Sequence, residues 1–484
     1  MSIRAQLLSG IFYSAIAKYA GIVISLVVTA VLARLLTPDD FGIVAIATVI
    51  ITFFGIFTDM GIAPAIIQNK ELTDNDYSNI FSFTIWGGIT LSFLFFLSSW
   101  LIGSYYSNET LTIICQLLSI NLFFSSINIV PNALLYRDRL FKFIAWRSLI
   151  IQLAGGAIAV TAALTGAGLY ALIVNPIFSA FFIFIVTFRK KPQRGSFSLG
   201  FYSIKKIFRY SSYQFLFNII NYFSRNLDKL LIGKFMGMGE LGYYEKSYRL
   251  MMLPLQNITH VISPVMHPIF SEMQDDLQKL AFSYEKVIKL LAFIGFPLSV
   301  FLYFTASEIT LLLFGEQWVN SIKPFQVLAI SVGIQIIMST SGSIFQAAND
   351  TKSLFICGLF SAILTVSSML IGIFVFESLE AVAWCICIAF IINFFQCYWM
   401  MYGVTFKRNL LFFTKTFIMP ITLCIILIII FAISASFLFG LSLIACVCIK
   451  GTIFFFVSGS FILVTNEFNS RCKIKELLSN KVIE

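Results

Sequence analysis

Through the apolar stretch 210–234, YSSYQFLFNIINYFSRNLDKLLIGK, six polar residues recur: Ser211, Gln214, Asn218, Asn221, Arg225 and Asp228, at steps of 3, 4, 3, 4 and 3. Helical spacing puts all six on one side. An ionised stripe is costly in lipid and belongs against protein or a water-filled cavity. Its chemistry is that of binding: the planar fork of Arg225 suits a phosphate, and the amides suit hydroxyls. In the first apolar run Ser14, Lys18, Gly21, Ser25 and Thr29 also share one helical side, with Lys18 as a point charge. A third set, Glu245, Arg249, Met252, Gln256 and His260, has the same spacing, as does its counterpart Thr48, Thr52, Gly55 and Asp59. The candidate cavity residues are therefore Lys18, Ser25, Gln214, Asn218, Asn221, Arg225, Asp228 and Arg249. Asp59 and Asp228 are the acids through which a cation would couple. Two plainer readings stand beside these: Arg225 and Asp228 neutralise each other, and Asp59 ends its helix beside Gly61 and Pro64.

Other residue types point away from catalysis. The pair Asp39–Asp40 would serve a membrane glycosyltransferase or polymerase as metal ligand or base, but Asp40 recurs as Glu240 before the same turn, as a helix start would. There is no GxxxxGK[ST] sequence. His260 and His267 lack acidic or Cys neighbours at ligand spacing, and eight of the nine cysteines sit in apolar runs, where Cys is a small hydrophobe. No catalytic residue, metal or cofactor is expected. The run YRDRLFKFIAWR (136–147) interleaves aromatic and basic residues, as an interfacial anchor does, and also suits an anionic headgroup.

These side chains need elements that hold them at membrane depth. Of 484 residues 59% are hydrophobic and only 12% charged, with mean hydropathy +0.91, which predicts an all-α polytopic membrane protein. Runs such as Ile421–Ile430 are continuously apolar and lack the alternation of a barrel strand. Apolar segments from 10–34 to 440–464 make about fourteen transmembrane helices. With the N-terminus inside, most of the 33 Lys and Arg fall in inner loops, so both termini are expected in the cytoplasm. The net charge of +10 is spread over those loops, which argues against a nucleic-acid partner.

The chain also repeats itself. At an offset of 200, ARLLTPDDFG (33–42) lies on GKFMGMGELG (233–242), Pro64 on Pro264 and Asp76 on Asp276. After an insertion near FGEQW (314–318) the offset becomes 210, and Gln116, Leu118, Ile120 and Lys142 meet Gln326, Leu328, Ile330 and Lys352. An even number of spans separates the copies, so this is a parallel repeat. It divides the chain into an N-terminal lobe (1–188), a cytoplasmic linker (189–207), a C-terminal lobe (208–402), and an extra helix pair with a basic tail (403–484).

With LARLLTPDDFGIVAIA (32–47), FSRNLDKLLIGKFMGMGELGYYEKSYRL (223–250) and LLLFGEQW (311–318), the chain resembles the polysaccharide-transporter branch of the multidrug/oligosaccharidyl-lipid/polysaccharide exporter superfamily, and is most similar to the O-antigen and exopolysaccharide flippases. The resemblance implies two six-helix lobes around a central cavity and alternating access in a bacterial inner membrane. The implied substrate is a polyprenyl-diphosphate-linked oligosaccharide carried from the cytoplasmic to the outer leaflet. The implied partners are that glycan, membrane lipids, a polysaccharide polymerase and chain-length proteins. A cation-coupled multidrug or other lipid exporter is the alternative within the fold.

Overall fold

A computed structural model describes residues 3–69, 71–194, 219, 222, 223 and 225–467. Among them there is no β-strand. The first helices are α1 (Ile3–Leu35), α2 (Pro38–Asp59), α3 (Ile62–Gln68), α4 (Asp74–Tyr106), α5 (Glu109–Ile127), α6 (Ile129–Arg137), α7 (Phe141–Leu164) and α8 (Ala171–Lys190). They are followed by α9 (225–235) and α10 (Met238–Ser271). Next come α11 (Leu277–Phe314), α12 (Ile322–Ile330), α13 (Val332–Met338), α14 (Ser341–Ala347), α15 (Thr351–Phe374) and α16 (Leu379–Met400). The last are α17 (Leu410–Lys415), α18 (Ile418–Leu438) and α19 (Leu443–Val464).

Eleven helices are long and apolar enough to cross a membrane, or twelve if the bent pair Glu316–Ile330 and Val332–Ala347, broken by 44°, forms one span. The expected number of about fourteen is not reached among the described residues. Much of the expected span 208–234 lies outside them. The other, 241–267, lies on α10, whose first turns carry Glu240, Glu245, Lys246 and Arg249 and dilute its apolar character.

Acidic residues set the helix starts. Asp40 Oδ2 accepts from Thr37 N (2.9 Å) and Thr37 Oγ1 (2.8 Å), while Asp40 N donates to Thr37 Oγ1 (3.3 Å), forming a reciprocal cap on α2. Thr73 and Asp76 repeat the device on α4. Asp276, the partner of Asp76 in the repeat, caps α11 by accepting from Gln278 N (3.1 Å) and Lys279 N (3.0 Å). Each cap satisfies backbone donors that a helix start leaves free.

The chain forms two compact units, residues 1–245 and 246–484, and α10 runs across the boundary. The repeat marks sequence similarity, whereas the units follow packing, and α9 and the first turns of α10 pack within the first unit. There α4 lies along α5, α1 along α7 and α7 along α8. The fully buried Ile66, Ile80 and Val130 join α3, α4 and α6. In the second unit α15 pairs with α16, and α11 carries α12, α13, α18 and α19. Phe293, Leu423, Leu427 and Phe431 form the core between α11 and α18.

Candidate functional site

Within the first unit, α2 and α10 cross with their backbones almost touching. A Cβ on Gly42 would stand 1.9 Å from the carbonyl oxygen of Met238, and one on Gly242 would stand 2.0 Å from that of Pro38. The pairs 42/242 and 38/238 are each one repeat apart, so the contact is reciprocal, like an isologous interface within one chain. Only glycine fits at either position. Gly239 sits beside Asp39, with a built Cβ 3.3 Å from Oδ2.

α9 is held from three sides. The hydroxyl of Tyr222, just before it, meets the Val49 carbonyl and Thr52 of α2. Tyr106 of α4 donates to the Leu230 carbonyl (3.2 Å), and the Lys234 ammonium lies 4.5 Å from the Tyr105 ring centre while donating to the Tyr105 carbonyl. Towards α10, Asp228 is 2% exposed; it accepts from Tyr244 Oη (2.7 Å) and Lys229 N (2.8 Å). Beside it Lys229 pairs with Glu245 (2.7 Å).

The candidate residues therefore separate. Arg225 is exposed, Asp228 is enclosed, and no ion pair joins them among the described residues. The plainer reading, in which the two neutralise each other, is not met here: the Tyr244 hydroxyl and the Lys229 backbone N–H serve the carboxylate. Lys18 is exposed, and Ser25 and Arg249 are half-buried. Gln214, Asn218 and Asn221 lie outside the described residues. On the α1 stripe, Gly21 offers its carbonyl to Gln152 Nε2 of α7 (2.9 Å), and Thr29 is buried. Asp59 is the last residue of α2, and its carboxylate lies beside the backbone of Gly61 and Ala63, where α2 breaks into α3. Asp40 is engaged in its cap.

Sequence spacing missed Tyr222, Tyr244 and Gln152. The signal for Gln152 was present, as a lone amide in the apolar run LIIQLAGG. The tyrosines carried none, because aromatic residues recur throughout these helices.

In the second unit Lys246 is 1% exposed, its ammonium 5.6 Å from the Phe314 ring centre and 5.5 Å from that of Trp318. Ser247 Oγ donates to the Ser321 carbonyl (2.8 Å). The FGEQW segment thus packs against Lys246 and Ser247 of α10, desolvating the lysine stem against aromatic faces. An almost wholly apolar cavity of about 660 Å³ opens between α11, α13, α16 and α17–α18, lined by Phe296, Phe304, Ile334, Phe394, Phe417 and Ile421. No group of three His, Cys, Asp or Glu side chains is placed to hold a metal among the described residues.

Helices of this length and hydropathy, with ionic groups tucked between them, define a multi-pass α-helical membrane protein. The family described as polysaccharide biosynthesis protein matches residues 31–323, and the chain belongs to that family. It is 27% identical over 381 residues to the lipopolysaccharide biosynthesis protein WzxC of Escherichia coli strain K12, covering 77% of this chain and 76% of that protein. With the teichuronic acid biosynthesis protein TuaB of Bacillus subtilis strain 168 it shares 26% identity over 433 residues, 87% of each chain. The fold matches that of the lipid II flippase MurJ in an inward closed conformation, with TM-score 0.72, 14% identity, and coverage of 94% of this chain and 99% of that one. It also matches an inward-facing multidrug resistance transporter of the MOP superfamily, with TM-score 0.59, 15% identity, and coverage of 82% and 99%.

Proposed function

We propose that the protein is a flippase that moves a polyprenyl-diphosphate-linked oligosaccharide from the cytoplasmic to the outer leaflet of a bacterial inner membrane, both termini being cytoplasmic. The observation that carries this reading is the match to a polysaccharide biosynthesis family in a chain built almost entirely of membrane-spanning helices. A protein with that fold serves polysaccharide synthesis most directly by moving a lipid-borne intermediate. The lobes 1–188 and 208–402 rock about a central cavity, opening to one side at a time. Arg225 and Lys18 meet the diphosphate, and Ser25, Gln214, Asn218, Asn221 and Arg249 meet diphosphate or sugar hydroxyls. The apolar cavity of the second unit suits the polyprenyl tail. Asp228 holds α9 against α10 and thereby positions Arg225. Asp59 and Asp228 are the acids open to cation coupling.

The test is a deletion strain in which lipid-linked sugars are assayed by leaflet. Accumulation on the cytoplasmic side is expected, and Arg225→Gln should reproduce it at normal protein abundance. Unchanged surface glycan with no accumulation refutes the reading.

A further inference from the structure

At the inner end of the first unit, Arg147 of α7 is 8% exposed. Its Nη1 and Nη2 donate to Asn132 Oδ1 of α6 (3.2 and 3.3 Å), and Nη1 also donates to Thr187 Oγ1 of α8. Both partners are neutral, and Nε is buried with no acceptor among the described residues. No carboxylate among those residues pairs with the guanidinium. Asp138, in the preceding turn, is engaged with Lys191. Arginine does not shed its proton in proteins, so a whole positive charge is held inside an apolar bundle by neutral groups alone. Such a charge is expensive unless an anion completes it.

The surroundings indicate which anion. Arg147 is six residues past Phe141, roughly 9 Å along the helix, about one turn inside the inner headgroup region and within reach of it for a long side chain. Lys190, one turn beyond Thr187, holds its ammonium 5.9 Å from the Phe143 ring centre. Lys142 lies 5.5 Å from the Tyr13 ring centre. Trp146 is 53% exposed, as an aromatic anchor at a membrane interface would be. A buried guanidinium with a flexible ammonium rim and an interfacial tryptophan matches a lipid-borne phosphate.

We propose that Arg147, Asn132 and Thr187, with Lys190 at the rim, form an inner-leaflet site for the phosphate of an anionic lipid. The site is separate from the stripe on α9 and does not rest on the proposed cargo. Its phosphate comes either from a phospholipid headgroup or from the diphosphate of a polyprenyl carrier.

The experiment uses the full chain in maltoside micelles, following thermal unfolding while phosphatidylglycerol or a polyprenyl diphosphate is titrated in, with phosphatidylcholine as control. Wild type should be stabilised by at least one of the two anionic lipids and not by phosphatidylcholine. Arg147→Met should unfold no earlier than wild type without lipid, because it removes an uncompensated charge, and should lose the lipid-dependent shift. Arg147→Lys should keep a shift with affinity weakened about tenfold or more. A shift with phosphatidylglycerol assigns the phospholipid source, and a shift with polyprenyl diphosphate alone assigns the carrier. If neither lipid shifts wild type, or if Arg147→Met keeps the full shift, Arg147 is a packing residue and the proposal fails.

Discussion

Asp350 stands just before α15 and ties its first turn to the segment after α16. It accepts from Ser353 N (3.0 Å) and Thr405 Oγ1 (2.6 Å). Burial pushes its carboxyl up, but the hydrogen bonds from Thr405 and Ser353 and the charge of Lys352 outweigh this and hold it below the ordinary carboxylate range. A carboxyl depressed by folding contributes stability above its unfolded pKa, about 3.9, and that contribution is lost as the pH falls through the folded value. Acid should therefore loosen this tie below about pH 4. Thr405→Val should lower the unfolding temperature at neutral pH and flatten the acid limb, read as unfolding midpoints in detergent from neutral to acidic buffer. An acid limb as steep as that of wild type would refute the assignment. The capping role of Asp40 was legible in the sequence because Glu240 repeats it, and a helix start needs only local neighbours. The enclosure of Asp228 was not legible. Its partner Tyr244 lies on the next helix, and spacing along one helix cannot tell a stripe that faces water from a residue that faces its neighbour.

Among the elements, the α2/α10 crossing was written in the repeat, since Gly42 falls on Gly242 at the offset of 200. What the alignment could not say was that the two glycines meet each other's strands of backbone. A methyl group at either one runs into a carbonyl, and no side chain can swing aside. Gly42→Ala and Gly242→Ala should each cost about 1–3 kcal/mol. Because one methyl already separates the pair, the double variant should cost clearly less than the sum of the single ones, as neighbours in a mutant cycle do. Unfolding midpoints of the four proteins measure this, and strict additivity would show the two contacts to be independent. The attachment of α19 was hidden for a different reason. Lys450 is a charge inside a span, and its partners are on α11, where it donates to the Phe304 carbonyl (2.7 Å) and pairs with Glu308. With side-chain exposures of 8% and 16%, this pair is largely desolvated. Lys450→Met should cost about 3–5 kcal/mol by stranding Glu308, and adding Glu308→Gln should recover most of that. A single variant as stable as wild type would mean that α19 is held by apolar packing alone.

For the molecule as a whole, the fold class followed from hydropathy and charge placement, which bilayer physics constrains tightly. The working mechanism depends on which contacts break, and no spacing rule states that. With both termini cytoplasmic, as proposed, the α2/α10 crossing would lie at the outer ends of its helices. If the lobes rock, an outward opening must part this crossing, and holding it shut must stop transport. Gly239 faces Asp39 across it, with the built Cβ 3.5 Å from the Asp39 carboxyl carbon. Asp39→Cys with Gly239→Cys therefore places two thiols where an oxidant can join them. Asp39 is exposed and Asp40 keeps the cap, so the reduced protein should fold and support surface glycan. Oxidation should stop delivery of lipid-linked sugar to the outer leaflet, and a reductant should restore it, while either single cysteine should be indifferent to both treatments. The cross-linked fraction, read by gel mobility after cleavage of an engineered site in the 189–207 linker, should track the loss of transport. Transport that continues with the crossing covalently closed would show that the cargo passes without parting these helices, and would overturn alternating access through the outer end of α2 and α10.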